Sequence, residues 1–135
     1  MKFLAKRARR VALAICLFIS LPCLAEVTGE LSKDLAGTSL TYHYDSGRKY
    51  KVRFTADTMA YLRFDVPDRD WVEGVPYIAR KLDNGVYLIN WHRPERVEYV
   101  TIVYDFNKRL MYTSALLEGK ERHFDSARIV ELDRK

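Results

Sequence analysis

From residue 39 onward, hydrophobic and polar positions alternate with a period of two, broken at short intervals by Gly, Asn, Asp and Ser. That period puts successive side chains on opposite faces of an extended chain, so each such stretch predicts a strand with one buried face. Residues 39–44 (SLTYHY) put Leu40, Tyr42 and Tyr44 on one face and His43 on the other. Residues 49–54 (KYKVRF) put Tyr50, Val52 and Phe54 on one face and Lys51 and Arg53 on the other. Further strands are predicted over 58–64, 76–82, 86–92, 98–105, 109–117 and 122–132. Turn residues separate them at 45–47, 55–57, 83–85, 106–108 and 118–120, with longer loops at 65–74 and 93–96. Asn84-Gly85 is the strongest of these signals, because both residues tolerate the positive φ that tight hairpins need.

No amphipathic helix of useful length interrupts the series. Strands joined by short connections predict an up-and-down antiparallel meander, and closing it into a barrel removes its two unpaired edges. The expected fold is therefore all-β: a single eight-stranded barrel over about residues 35–132, wide enough for packed side chains or one small ligand. A two-sheet sandwich is the structural competitor. Residues 28–36 read as a short helical or irregular lead-in that plugs one end.

The first 25 residues follow a different pattern. Lys2, Lys6, Arg7, Arg9 and Arg10 precede an almost wholly apolar run from Val11 to Leu21, then Pro22-Cys23-Leu24-Ala25. This is the layout of a secretory signal with cleavage near Ala25. The apolar run is about half of the roughly 20 residues that span a bilayer, so the mature form is expected to have no stable membrane span. Periplasmic or secreted localisation follows, with a lipoprotein attached through Cys23 as the less favoured alternative, since Ser20-Leu21-Pro22 leads poorly into that modification. The expected division is a leader over 1–25 and one domain over 26–135.

Removing the leader changes the charge. Loss of its five basic residues takes the 23 Lys and Arg to 18, equal to the 18 Asp and Glu. The sequence pI of about 9.2 belongs to the precursor. A chain without basic excess has nothing to neutralise phosphates, so no nucleic-acid partner is expected. Both cysteines, Cys16 and Cys23, also leave, and with them any disulfide or thiolate chemistry. About 110 residues remain, enough to bury roughly two-thirds of their unfolded surface in one core.

Candidate chemistry is sparse. His43, His92 and His123 lack metal-ligand spacing, and no phosphate loop, nucleophile elbow or paired-carboxylate pattern is visible. No cofactor or metal site is expected. The conspicuous feature is aromatic content: Tyr42, Tyr44 and Tyr50 lie in one hairpin, and Tyr61, Tyr87 and Trp91 recur in later strands. Packing alone accounts for aromatic residues in strands. Several tyrosine hydroxyls converging on one interior would instead face a ligand, since buried hydroxyls need partners. Arg93 shares a strand face with Tyr87, Ile89 and Trp91. If that face is internal, Arg93 is the cavity's one fixed cation and grips a carboxylate; if external, it is an ordinary solvated charge.

Specific motifs add to this. Tyr42-His43-Tyr44-Asp45-Ser46-Gly47-Arg48-Lys49-Tyr50 resembles the Tyr-x-Tyr-x-x-Gly-x-x-Tyr opening of bacterial phenolic acid decarboxylases. Gly85 to Trp91 resembles their Gly-x-Tyr-x-x-x-Trp strand, and Trp71-Val72 their preceding Trp-Val. With Val103-Tyr104-Asp105-Phe106 added, the pattern is similar to the related MoaF-like family, named from molybdenum-cofactor operons. The resemblance runs from about Leu35 to Ile129. It implies a calycin-type, lipocalin-like barrel. It also implies that Tyr42 and Tyr44 correspond to the decarboxylases' paired tyrosines, while their arginine position is Asp70 here, with Arg69 adjacent. Their glutamate position is Arg93. A guanidinium stays protonated near neutral pH and cannot exchange protons as a tuned carboxyl group does.

The expected function is thus that of an exported, non-catalytic MoaF-like barrel binding a small aromatic or apolar, or anionic, molecule through Tyr42, Tyr44, Tyr50, Tyr61, Trp91 and Arg93. The alternatives are a decarboxylase-like lyase with a relocated acid, and an envelope protein-interaction module that contacts a protein partner through Trp71.

Overall fold

The computed structural model describes residues 31–135, and the segment expected to be a leader lies outside them. Eight strands follow one another: β1 (Ser39–Tyr44), β2 (Lys49–Phe54), β3 (Thr58–Arg63), β4 (Val72–Asp83), β5 (Val86–Arg93), β6 (Glu98–Asp105), β7 (Leu110–Leu117) and β8 (Glu121–Asp133). Each pairs antiparallel with its neighbours in sequence, and β8 pairs with β1, which closes the barrel. Closure leaves no sheet edge open, so the meander of the sequence is an up-and-down barrel and not a sandwich.

Alternation decides which residues fill it. Leu40, Tyr42 and Tyr44 of β1, Val52 and Phe54 of β2, and Val100, Ile102 and Tyr104 of β6 are all buried, while Lys51 and Arg53 are exposed. β8 keeps the same parity through Ala127 and Ile129. A register shift opposite Thr41 and Tyr42 then re-aims the strand, and Glu131 lies on the outer wall, where it accepts the Thr41 hydroxyl at 2.6 Å. Such a bulge adds local twist of the kind a barrel needs in order to close.

The largest departure from expectation is β4. It begins at Val72 instead of residue 76, because Val72 pairs with Tyr61 across a second register shift. Pro76 pairs with Thr58, the first residue of β3, at the end of this ladder, where a missing N–H costs little. The 93–96 loop contains a 3-10 turn, Pro94–Arg96, which ends on Val97 in the left-handed region at φ 53°. At the Asn84-Gly85 hairpin only Gly85 takes positive φ, at 75°, and a bulge between Lys81 and Asp83 absorbs the rest of the turn.

The two ends of the barrel differ. At one end Leu35, Phe54, Tyr77, Tyr87, Tyr104, Phe106 and Met111 are buried together. The lead-in crosses this end as turns: Ser32 N donates to Ala79 O at 2.8 Å, Gly37 N to Phe54 O at 3.0 Å, and Leu35 is wholly buried. Tyr77 donates its hydroxyl to Thr55 O at 2.8 Å, and Arg134 donates to the Tyr87 hydroxyl at 3.0 Å. This end is a packed plug in which the Tyr77 and Tyr87 hydroxyls are paired. The loops 45–48, 64–71, 94–97 and 118–120 surround the opposite end.

Candidate ligand cavity

At that opposite end the interior is open, with a cavity of about 500 Å³. Tyr42, Tyr44, Tyr50, Tyr61 and Trp91 all line it. They form one continuous aromatic arc. Tyr44 and Tyr42 meet edge to face with centroids 5.4 Å apart, and Tyr42 stacks on Tyr50 at 5.5 Å. Tyr50 leans on Tyr61 at 6.3 Å, and Tyr61 stacks on Trp91 at 5.5 Å. His123 extends the arc beyond Tyr44, with ring centroids 4.7 Å apart. Val100, Ile102, Ala115 and Leu117, from β6 and β7, make the facing wall aliphatic. The cavity thus has an aromatic side and an aliphatic side, a shape suited to a flat apolar ring.

The phenols are protonated donors and acceptors. Burial pushes the Tyr44 hydroxyl up to about 12, and burial raises Tyr42 and Tyr104 well above the ordinary range. Tyr44 shares a buried hydrogen bond of 2.8 Å with Thr113 Oγ1, which ties β1 to β7 through the interior. His123 is held below its usual pKa by burial and by the neighbouring Arg48 charge, so it stays neutral near pH 7. Two cavity-lining residues each keep one polar atom that is tucked into the wall and unpaired, Trp91 Nε1 and His123 Nε2.

Arg93 is placed differently from the other expected site residues. It lies outside the cavity lining and touches it through Tyr61, whose hydroxyl accepts from Nη1 at 3.2 Å. Its Nε donates to Glu95 at 2.8 Å, and Glu98 lies 3.8 Å from Nη1. Nor is it the one cation near the site, because Arg48, Arg63, Arg69 and Arg96 line the mouth. Three of these are engaged: Arg48 with Glu121, Arg63 with Asp65, and Arg96 with Glu98 and Glu118.

Two cavity residues escape the reading by aromatic content alone. Glu98 is only 7% exposed and lines the cavity, directly opposite Arg93 in the β5–β6 register. Its parity with Val100, Ile102 and Tyr104 was the signal for an interior acid. His123 shares parity with Ala127 and Ile129 in the same way. Trp71, by contrast, lines a groove on the outer wall, half-buried beneath the Arg53 guanidinium at 4.4 Å from its ring. It neither plugs the barrel nor projects freely among charges.

A family model described as MoaF-like matches residues 36–127. The chain belongs to the MoaF-like family. The match covers β1 to β7 and the first part of β8, so this MoaF-like barrel contains the whole aromatic arc within the matched region. No curated protein matches it. Among solved structures, it is similar to a protein from Burkholderia vietnamiensis provisionally described as a beta-lactamase, at 20% identity and a TM-score of 0.63. That similarity covers 75% of this chain and 95% of the other, and it carries the fold alone.

Proposed function

We propose that this MoaF-like protein is an exported, non-catalytic barrel that binds a small aromatic or apolar molecule in its tyrosine-lined cavity. One observation carries the reading: an open cavity of about 500 Å³ lined by a continuous aromatic arc from Tyr44 through Tyr42, Tyr50 and Tyr61 to Trp91. A packed structural core has no reason to keep such a space. Export rests on the leader sequence, and mass spectrometry of the native protein checks it: loss of residues up to about Ala25 is expected, and a retained N-terminus sinks that part.

Binding of a ligand to the folded state stabilises it by about 2.7 kcal/mol at 100 times Kd. A thermal-shift screen of aromatic acids, amides, phenols, pterins and lipids is therefore the test. A clear upward shift with at least one aromatic class is expected, and a flat screen removes the reading. The lyase alternative needs a carboxyl group free to exchange a proton with substrate. The buried cavity acid, Glu98, is instead engaged by Arg96 at 3.2 Å. The half-buried Trp71, stacked under Arg53, gives the protein-interaction alternative no free aromatic anchor.

A further inference from the structure

The outer wall of the barrel carries a second feature, separate from the cavity. Strand register aligns its outward side chains into rows. Ile78, Asn90, Thr101, Ser114 and Phe124 form one row across β4 to β8. Leu88, Val103, Tyr112 and Ser126 form the row on one side of it, and His92, Tyr99 and Leu116 the row on the other. None of these twelve side chains is Lys, Arg, Asp or Glu, whereas a protein surface of that extent carries about three or four. Trp71 is covered by Arg53, but Phe124 is the most exposed large hydrophobic among the described residues, at 85%. Ile78 is 57% exposed, Tyr112 53% and Tyr99 51%. At roughly 200 Å² per ring, the three rings alone leave about 400 Å² open. A contiguous apolar patch of several hundred Å² marks an interaction site.

The rim of the patch says what covers it. Arg122 continues the row of Tyr99 and Leu116, Arg80 begins the row of Leu88, and Arg128 follows Ser126 on the same side of β8. All three are exposed, and none has an ion-pair partner among the described residues. The acids nearby are occupied. Asp105 pairs with Lys108 at 3.4 Å, Asp125 accepts the Ser46 and Ser126 backbone N–H groups, and Glu131 accepts the Thr41 hydroxyl. Beyond Arg128 the wall stays basic, through His43 of β1 to Lys49 of β2. An uncharged aromatic centre inside an arginine rim fits a partner that is apolar within and anionic at its surface. A second copy of the chain would set three more arginines against these three, and like charges across an interface are costly. An anionic bilayer supplies both chemistries. Its acyl region takes Phe124 and Ile78, its head-group level suits the amphipathic Tyr99 and Tyr112 rings, and its phosphates take the guanidinium groups. A bilayer also deforms around a convex barrel wall, where a rigid protein partner would need matched curvature.

We infer that the outer wall of β4 to β8 is a peripheral membrane-docking face, which lays Phe124 and Ile78 into an anionic lipid surface and sets Arg80, Arg122 and Arg128 on lipid phosphates. It leaves the cavity inside the barrel untouched, so it stands apart from the binding function proposed above.

The test is co-sedimentation of the native, purified protein with two kinds of vesicle: phosphatidylcholine alone, and phosphatidylcholine with about one-third phosphatidylglycerol. The protein is expected to bind the anionic vesicles clearly more tightly than the neutral ones, and to release as salt rises. Phe124→Ser should weaken that binding about tenfold, as loss of a buried aromatic side chain implies. Arg122→Gln and Arg128→Gln should each weaken it about fivefold, the value of one basic residue at an anionic surface. These side chains are exposed, so the thermal midpoint without vesicles should stay level. Failure to bind anionic vesicles, equal binding to both kinds, or Phe124 and arginine variants that bind as the parent does would each overturn the inference. Sedimentation velocity without lipid adds one more arm: a dimer that Phe124→Ser dissociates would give the face to a second copy of the chain and overturn it as well.

Discussion

Tyr44→Phe removes one oxygen and almost no volume, so its effect isolates one hydrogen bond. That bond, 2.8 Å to Thr113 Oγ1, joins β1 to β7, which are not neighbours in the sheet. It is therefore tertiary and independent of the backbone ladders. A neutral hydrogen bond contributes about 0.5–1.5 kcal/mol net, and a buried partner left unpaired adds up to about 1–3 kcal/mol. Thr113 is 3% exposed but borders the cavity, where water can take up its hydroxyl. The cost of Tyr44→Phe should accordingly fall near the lower end, about 1 kcal/mol, or roughly 4–8 °C in Tm for a domain near 100 residues. Thr113→Val should cost a similar amount. The double variant should cost little more than either alone, with a coupling of about 1 kcal/mol between contacting residues. Urea unfolding of the four proteins measures this. Were Tyr44 on the outer surface, each single change would fall within about 0.5 kcal/mol of zero. Single costs that small, or strictly additive ones, would refute the inward placement of the arc.

Other expectations follow from backbone and titration. Val97 is β-branched at φ 53°, so Val97→Gly should relieve strain and raise stability by about 1 kcal/mol; a loss in thermal unfolding would contradict the left-handed turn. Gly85→Ala should destabilise by about 1 kcal/mol or more, because φ is 75° and the new methyl would meet Asn107 Oδ1 at 2.7 Å, displacing the Asn107 Nδ2 bond to Asn84 O. Tyr44 ionises near pH 10 when unfolded but near 12 when folded, so above pH 10 the unfolded chain holds fewer protons and stability falls as pH rises, by about 1.4 kcal/mol per unit for this group. Unfolding midpoints that stay level from pH 9 to 11.5 would contradict its burial.

Period-two alternation made the fold legible, because a one-residue slip in any strand would have turned its apolar face outward. Tyr50, Val52 and Phe54 against Lys51 and Arg53 is the clearest case: Val52 and Phe54 are buried, Tyr50 is half-buried, and Lys51 and Arg53 are exposed. The start of β4 was not legible. Val72-Glu73-Gly74 looks like loop, and only its pairing with β3 extends the strand. At the site, alternation placed the tyrosines and Trp91 correctly on the inner face. Arg93 shares that parity, but its contacts with Glu98 and Tyr61 cross between strands, and sequence spacing does not reveal cross-strand pairs in a barrel. The same is true of Trp71 and Arg53, which come from separate elements and meet on the outer wall. Glu98 and His123 were readable from parity and were overlooked because polar residues near strand ends usually face solvent.

An aromatic molecule is expected to occupy the cavity beside Trp91. The chain has two tryptophans, and they lie in different environments: Trp91 in the cavity and Trp71 on the outer wall. A nitrogen-15 spectrum therefore shows two indole N–H signals, and Trp91→Phe assigns them. On titration with the best ligand from the thermal-shift screen, the Trp91 signal should move and saturate as a ring packs beside its indole, while the Trp71 signal stays in place. Movement of the Trp71 signal alone, or of neither at saturating ligand, would contradict the account.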